Sequence, residues 1–188
     1  MDRTYIGVHE MSTVIAAIRA GVIHVCGDTA GTYNNGIMTH TNKVYEGGDY
    51  IVGTCGVRDP YLTMYYEFSL PPNVGLSRVD YIAGTLRPLL KQTLAHVEKD
   101  SFSLVLGFYY AGEPCLIQVN ADVSDIEDIS YKQWVCMGTG QEVAMGVMDT
   151  LWDTDMDTQA MMERGIEAAA RYNAYTRLPS VYHCLRAE

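Results

Sequence analysis

A serine, an aspartate and a lysine near the start of the chain have the types and spacing of a nucleophilic site. Ser12 stands at the head of a β-branched run that predicts a strand, and Asp28 ends the next such run. Lys43 opens another apolar segment fifteen residues later. A hydroxyl, a carboxylate and an amine brought together in this way could form a nucleophile with a tuned amine. A structural strand serine and an ordinary ion pair at a sheet edge are the alternatives.

Ser12 needs a general base, because a serine hydroxyl keeps its proton at neutral pH. An N-terminal α-amine titrates near about 8 and can accept that proton. Met11 precedes Ser12, so the Ser12 nitrogen lies in a peptide bond in this sequence. The chemistry therefore requires the loss of residues 1–11. Either translation starts at Met11 and the initiator is removed, or the Ser12 hydroxyl attacks the Met11 carbonyl and releases the segment.

The hydrophobic pattern predicts an α+β chain in which strands and helices are grouped. A turn at residues 19–21 joins the first two strands, residues 29–36 are predicted as a loop, and the strands up to residue 55 are expected to form an antiparallel sheet. Pro88 predicts a kink or a late start within its helix. The predicted strands are residues 13–18, 22–26, 37–41, 43–45, 50–55, 103–110, 114–120, 134–137 and 181–185, and the predicted helices cover 59–68, 79–97, 143–151 and a segment capped by Asp157.

Composition narrows the class of protein. A length of 188 residues predicts one domain with a sizeable core, and a net charge of −10 argues against nucleic-acid binding. The five cysteines form no C-x-x-C pair and the five histidines show no metal-ligand spacing, so neither a metal nor another cofactor is expected. No apolar run is long enough for a membrane span, and residues 1–11 lack signal-peptide character. We expect a soluble cytoplasmic protein with reduced thiols.

Taken together, these motifs resemble the proteasome β-subunit family and, within it, the bacterial HslV-type protease subunits. Ser12 falls at the family's nucleophile, Gly21 at its turn glycine and Gly27-Asp28 at its acidic pair, while Lys43 matches the family lysine after one deletion. The likeness continues through Gly53-Thr54-Cys55-Gly56, Gly138-Thr139-Gly140 and the helical C-terminal third. It covers nearly the whole chain.

The resemblance implies a fold and a domain organisation. The fold is the four-layer αββα sandwich of N-terminal nucleophile hydrolases, in which two antiparallel sheets lie between helix layers. Residues 1–11 would be a propeptide or N-terminal extension, and residues 12–188 would be the hydrolase domain.

The resemblance also implies roles for individual residues. Lys43 would lower the proton affinity of the nucleophile and its amine, Asp28 would hold Lys43, and the Thr139 hydroxyl would support the terminal amine. The Cys55 amide would stabilise the oxyanion, and Gly53 would leave room for a large apolar side chain at the pocket floor. Close packing is the alternative for Gly53, and capping of a helix is one for Thr139. The implied site is Ser12, Asp28, Lys43 and Thr139 for catalysis, with Thr32, Gly53 and Cys55 for substrate binding.

In the family pattern, an aspartate on the C-terminal helix lies beside the nucleophile. This chain departs from the pattern at that position. Alignment of this segment places Arg171 there. Either the carboxylate is missing, or the register differs and Glu167 or Asn173 takes the position.

The implied function is a self-compartmentalising peptidase with an N-terminal serine nucleophile. Its implied partners are further copies of the chain in stacked or open rings, a AAA+ ATP-dependent unfoldase and unfolded polypeptide substrates. The alternative is a non-catalytic subunit that acts as an assembly scaffold and retains its N-terminal segment.

Overall fold

The computed structural model describes residues 12–32, 38–97, 102–120, 123 and 125–187, and the predicted α+β class is confirmed. The helices are α1 (Asp59–Glu67), α2 (Arg78–Asp80), a π-helical turn (Tyr81–Leu86), α3 (Arg87–Thr93), α4 (Gln141–Leu151) and α5 (Thr158–Tyr172). The strands are β1 (Val14–Arg19), β2 (Val22–Gly27), β3 (Ala30–Thr32), β4 (Met38–His40), β5 (Val44–Glu46), β6 (Tyr50–Gly56), β7 (Phe102–Tyr110), β8 (Glu113–Asn120), β9 (Ile126–Asp128), β10 (Trp134–Met137) and β11 (Val181–Leu185).

Two antiparallel sheets stack face to face between two helix layers. One sheet has the order β10-β1-β2-β11, the other has the order β5-β6-β7-β8-β9, and β3 pairs with β4 in a separate ribbon. Helices α4 and α5 cover the four-stranded sheet, while the helices between residues 59 and 93 cover the five-stranded sheet. The molecule is a four-layer αββα sandwich, as predicted.

Each sheet is apolar on both faces because each is covered on both faces. In β1, Val14 and Ala16 point into the core between the sheets, whereas Ile15 and Ala17 point to α4 and α5. Among the described residues, no helix is long and apolar enough to cross a membrane.

Three local predictions need correction. The early strands do not form one sheet, because β1 and β2 join one sheet while β5 and β6 join the other. Ala30–Thr32 is a strand and not a loop, since it pairs with Met38–His40, and residues 33–37 lie outside the described part. Strand β9 was not predicted. These pairings join segments through tertiary contacts that local sequence patterns do not encode.

The proline inside the third helical run is accommodated by a change of helix type. Pro88 stands in the first turn of α3, directly after the π-helical turn. The helical backbone continues without a break from Arg78 through Pro88 to Thr93, since Asp80 and Leu86 both have α-helical φ and ψ angles. The predicted late helix start is therefore not observed, and the change at this point is the π-helical turn before Pro88.

Candidate active site

The β1–β2 hairpin sets Ser12 opposite the end of β2. Its two-residue turn uses positive φ angles of 51° at Ala20 and 76° at Gly21, which match the twist of the flanking strands. The turn fixes the register, so Val14 pairs with Gly27 and the Asp28 amide donates to the Thr13 carbonyl at 3.0 Å. Ser12, one residue before Thr13, is fully buried beside Asp28.

Asp28 is a fully buried carboxylate that accepts from several donors. Its Oδ1 accepts from the Thr13 amide at 2.9 Å, and its Oδ2 accepts from the amides of Ala30 at 2.9 Å and Arg177 at 3.1 Å. The Lys43 ammonium lies 3.4 Å from Oδ1. A buried charge is tolerated only when it is paired and hydrogen-bonded, and Asp28 meets both conditions.

Lys43 links the aspartate to the serine. Its carbonyl accepts from the Thr54 amide at 2.8 Å, which ties the start of β5 to β6, and its side chain is buried. Nζ donates a hydrogen bond to Ser12 Oγ while it pairs with Asp28. An ammonium that donates to a hydroxyl oxygen favours the ionised form of that hydroxyl. The structure therefore brings Ser12, Asp28 and Lys43 together, as the resemblance implies.

The Gly138-Thr139-Gly140 turn approaches Ser12 from the other side. A Cβ at Gly138, whose φ is 87°, would lie 2.2 Å from the Ser12 carbonyl oxygen, so only glycine fits. That oxygen accepts from the Gly140 amide and from Thr139 Oγ1, both at 3.5 Å. The N-cap of α4 is Gly140, without a side-chain cap, so the capping alternative for Thr139 is not supported.

The residue that α5 contributes to this site is Asn173, and the register that placed Arg171 there is wrong. Arg171 and Glu167 are both exposed on α5. Asn173 ends the helix with an extended backbone, at φ −124° and ψ 123°. Its Nδ2 donates to the Thr139 carbonyl at 2.8 Å, and its Oδ1 lies 3.4 Å from Thr139 Oγ1, so it shares the single proton of that hydroxyl with the Ser12 carbonyl. An amide therefore stands where the resemblance predicted a carboxylate.

Comparison with solved structures identifies the fold. No protein-family profile and no curated protein sequence matches the chain. Thiobacillus denitrificans BPH in complex with epoxomicin has a TM-score of 0.68 and 20% identity, with coverage of 93% of this chain and 98% of that one. Eukaryotic HslV from Trypanosoma brucei has a TM-score of 0.64 and 14% identity, with coverage of 93% and 99%. The chain has the HslV-type, proteasome-like fold. At these identities the comparison establishes the fold alone.

Within this HslV-type fold, the Cys55 amide does not face Ser12. The Thr54 amide points to β5, and successive amides of a strand point in opposite directions, so the Cys55 amide points to β7, where Ser103 is its register partner. The assignment of that amide to the oxyanion is therefore not supported. The side chain is the part of Cys55 near the site, since Sγ lies 3.1 Å from a Cβ placed on Gly138.

The other two predicted substrate-binding residues have different outcomes. The side chain of Thr32 lies outside the described part of the structure, although its backbone belongs to β3. A Cβ on Gly53 would lie 2.7 Å from a methyl group of Val14 and 2.9 Å from one of Val25. Those methyl groups belong to the core between the sheets. The surroundings of Gly53 support close packing rather than an open pocket floor.

Gly53→Ala is expected to lower the free energy of unfolding by about 1–3 kcal/mol, because the added methyl overpacks the core. Gly146→Ala is the matched control. It lies on the exposed part of α4 with no atom within 4 Å of its Cβ, so the same change there should be neutral or stabilising by about 0.4–1 kcal/mol. Urea denaturation of both variants measures the difference. An unchanged stability in Gly53→Ala, with altered preference for the residue before the scissile bond, would restore the pocket-floor role.

The segment that follows α5 contributes residues that the sequence did not reveal. The Arg177 amide binds Asp28, and Thr176 Oγ1 lies 2.7 Å from Thr13 Oγ1 in a buried hydroxyl pair. The sequence signal was limited to an asparagine at the end of a predicted helix. Among the described residues, no cluster of three or more histidine, cysteine, aspartate or glutamate side chains could hold a metal ion.

Proposed function

We propose that this chain is a peptidase whose nucleophile is Ser12, exposed as the N-terminal residue when residues 1–11 are removed. The observation that carries the proposal is the buried chain of contacts from Asp28 to Lys43 to Ser12 Oγ. A buried lysine is costly, and here it is held by a carboxylate that already accepts three backbone amides. This arrangement holds the Lys43 ammonium against the Ser12 hydroxyl oxygen.

The proposed reaction follows from these positions. Ser12 Oγ attacks the peptide carbonyl, and its proton passes to the free α-amine of the same residue. Lys43 stabilises the developing negative charge on Oγ. The tetrahedral intermediate then breaks its C–N bond, the leaving amine takes the proton, and an ester to Ser12 remains. Water, deprotonated by the α-amine, hydrolyses that ester and restores the hydroxyl.

We propose the assembly and partners that accompany the HslV-type fold: rings of identical subunits in the cytoplasm, unfolded polypeptide as substrate and a AAA+ unfoldase that delivers it. The alternative is a non-catalytic scaffold subunit. Two observations favour that alternative: Ser12 is joined to Met11 by a peptide bond in the sequence, and Asn173 offers an amide instead of a carboxylate.

The intact mass of the untagged protein, purified from the cell that makes it, tests the proposal. A chain that begins at Ser12 is expected, and a chain that begins at Met1 would favour the scaffold. Epoxomicin, present in the BPH complex, supplies a second measurement. It is expected to form a one-to-one complex with the protein that begins at Ser12, and Ser12→Ala should abolish that binding.

A further inference from the structure

The side chain of Asn173 is held in one orientation by two neighbouring groups, of which one is a hydrogen-bond donor and the other an acceptor. The Tyr175 amide is a donor and needs the carboxamide oxygen, which it reaches at 2.8 Å. The Thr139 carbonyl is an acceptor and needs the carboxamide nitrogen, which it reaches at 2.8 Å. Because both neighbours are main-chain groups, the orientation of the side chain is fixed by the backbone.

These contacts select an amide over a carboxylate. An ionised aspartate has the same shape but only accepts hydrogen bonds. At position 173 it would keep the Tyr175 amide and would set an oxygen against the Thr139 carbonyl. Since Thr139 Oγ1 lies between Asn173 Oδ1 and the Ser12 carbonyl, at 3.4 and 3.5 Å, the side chain also determines how that hydroxyl meets Ser12.

The two charged side chains buried beside Ser12 have opposite charges. Lys43 and Asp28 are the acid–base pair buried beside it, and within the described residues no other aspartate, glutamate, lysine or arginine is buried. The other charged side chains on α4, α5 and the following segment are all exposed except Glu163, which is half-buried: Glu142, Asp149, Glu163, Arg164, Glu167, Arg171 and Arg177. A free amine at Ser12 would therefore lie near the Lys43–Asp28 ion pair, and the neutral side chain of Asn173 would be linked to Ser12 through Thr139.

We propose that Asn173 is a positioning residue that fixes the Thr139 hydroxyl against Ser12 and, being uncharged, keeps the Ser12 amine unprotonated at a lower pH than a carboxylate would. The inference rests on the proposed function, because it concerns the amine that trimming creates. A model α-amine titrates at about 7.7–8.0. An opposite charge within about 4–6 Å typically moves a pKa by 1–3 units. A carboxylate at position 173 would be linked to Ser12 through Thr139 Oγ1, by steps of 3.4 and 3.5 Å, so we expect an effect at the lower end of that range.

The experiment compares Asn173→Asp and Asn173→Ala in the protein that begins at Ser12. Gln92→Glu on α3 is the charge control, because it adds the same charge on the exposed face of the opposite helix layer. Labelling with [13C]serine allows the pKa of the Ser12 amine to be read from its carbon shifts, independently of activity. The pH profile of kcat/KM is measured alongside, and thermal melting checks that each variant is folded.

Asn173→Asp is expected to raise the amine pKa by about one unit, which lowers the free-base fraction below that pKa about tenfold. Asn173→Ala should lower kcat with little change in KM or in the amine pKa, and Gln92→Glu should match the parent protein. Equal amine pKa values in Asn173→Asp and the parent, or an equal rise in Asn173→Ala, would overturn the inference. If Asn173→Asp does not fold, full kcat in Asn173→Ala would overturn it. If the variants show the expected changes in amine pKa but the trimmed protein has no peptidase activity, the proposed function is refuted and this inference is retained.

Discussion

Removal of residues 1–11 is expected to raise peptidase activity by about 100- to 10,000-fold, the range that general-base catalysis contributes. In the longer chain the Ser12 nitrogen belongs to a peptide bond and cannot accept a proton. Trimming creates an amine on the same residue as the nucleophile, so the base lies at the required distance without any further movement. The measurement is turnover of a broad panel of fluorogenic peptides, with both forms produced from the same host.

Three variants of the trimmed chain sharpen this result. Ser12→Ala should abolish the activity, whereas Ser12→Thr should retain it because the hydroxyl and the amine are both kept. Ser69→Ala makes the same serine-to-alanine change at an exposed position and should have no effect. A trimmed protein that folds and assembles yet stays inert toward the whole panel would refute the enzyme, and the scaffold function would take its place.

Asp28→Ala is expected to lower the free energy of unfolding by about 3–5 kcal/mol. The change leaves the Lys43 ammonium buried without its carboxylate, and it leaves the amides of Thr13, Ala30 and Arg177 without their acceptor. Lys43→Met should cost less, because Asp28 keeps its three amide donors. Urea denaturation at neutral pH measures both losses.

A double-mutant cycle separates the ion pair from the packing around it. In Asp28→Ala/Lys43→Met no charge is left unpaired, so the double variant should be more stable than the sum of the single losses predicts. Glu127→Ala is the control, since it breaks the exposed pair with Lys132 at 3.1 Å, and such pairs contribute at most about 1 kcal/mol. Equal losses in Asp28→Ala and Glu127→Ala would show that the buried pair does not stabilise the fold.

The part of the site near the N-terminus could be predicted because it depends on short-range pattern. Two β-branched runs around a glycine turn fix a hairpin register, and that register places Asp28 across from the residue after Ser12. Lys43 followed from the resemblance and from the need of a buried charge for a partner. The strands 134–137 and 181–185 coincide with β10 and β11, because both combine β-formers with clear breaks on either side.

The part of the site around α5 could not be predicted in the same way. Helical periodicity identifies the faces of a helix and leaves its last residue uncertain by one or two positions. Because of that uncertainty, the sequence could not distinguish Arg171 from Asn173. In the structure, Asn173 ends the helix with an extended backbone, and its side chain contacts Thr139. The surroundings of Gly53 and Cys55 could not be predicted for a related reason, since those of Gly53 depend on the packing between the sheets and those of Cys55 on which neighbouring strand its amide faces.

Local patterns in the sequence were enough to predict the fold class, the hairpin that carries Ser12 and Asp28, and the need of Asp28 for a buried cation such as Lys43. Those features depend on alternation, turn chemistry and charge pairing, which act over a few residues or follow from the cost of burying an ion. The folded structure was needed to show how the strands divide between two sheets, that Asn173 reaches the site, and that Gly53 packs in the core. Those features depend on contacts between segments far apart in the chain, and such contacts are fixed by how whole layers fit together.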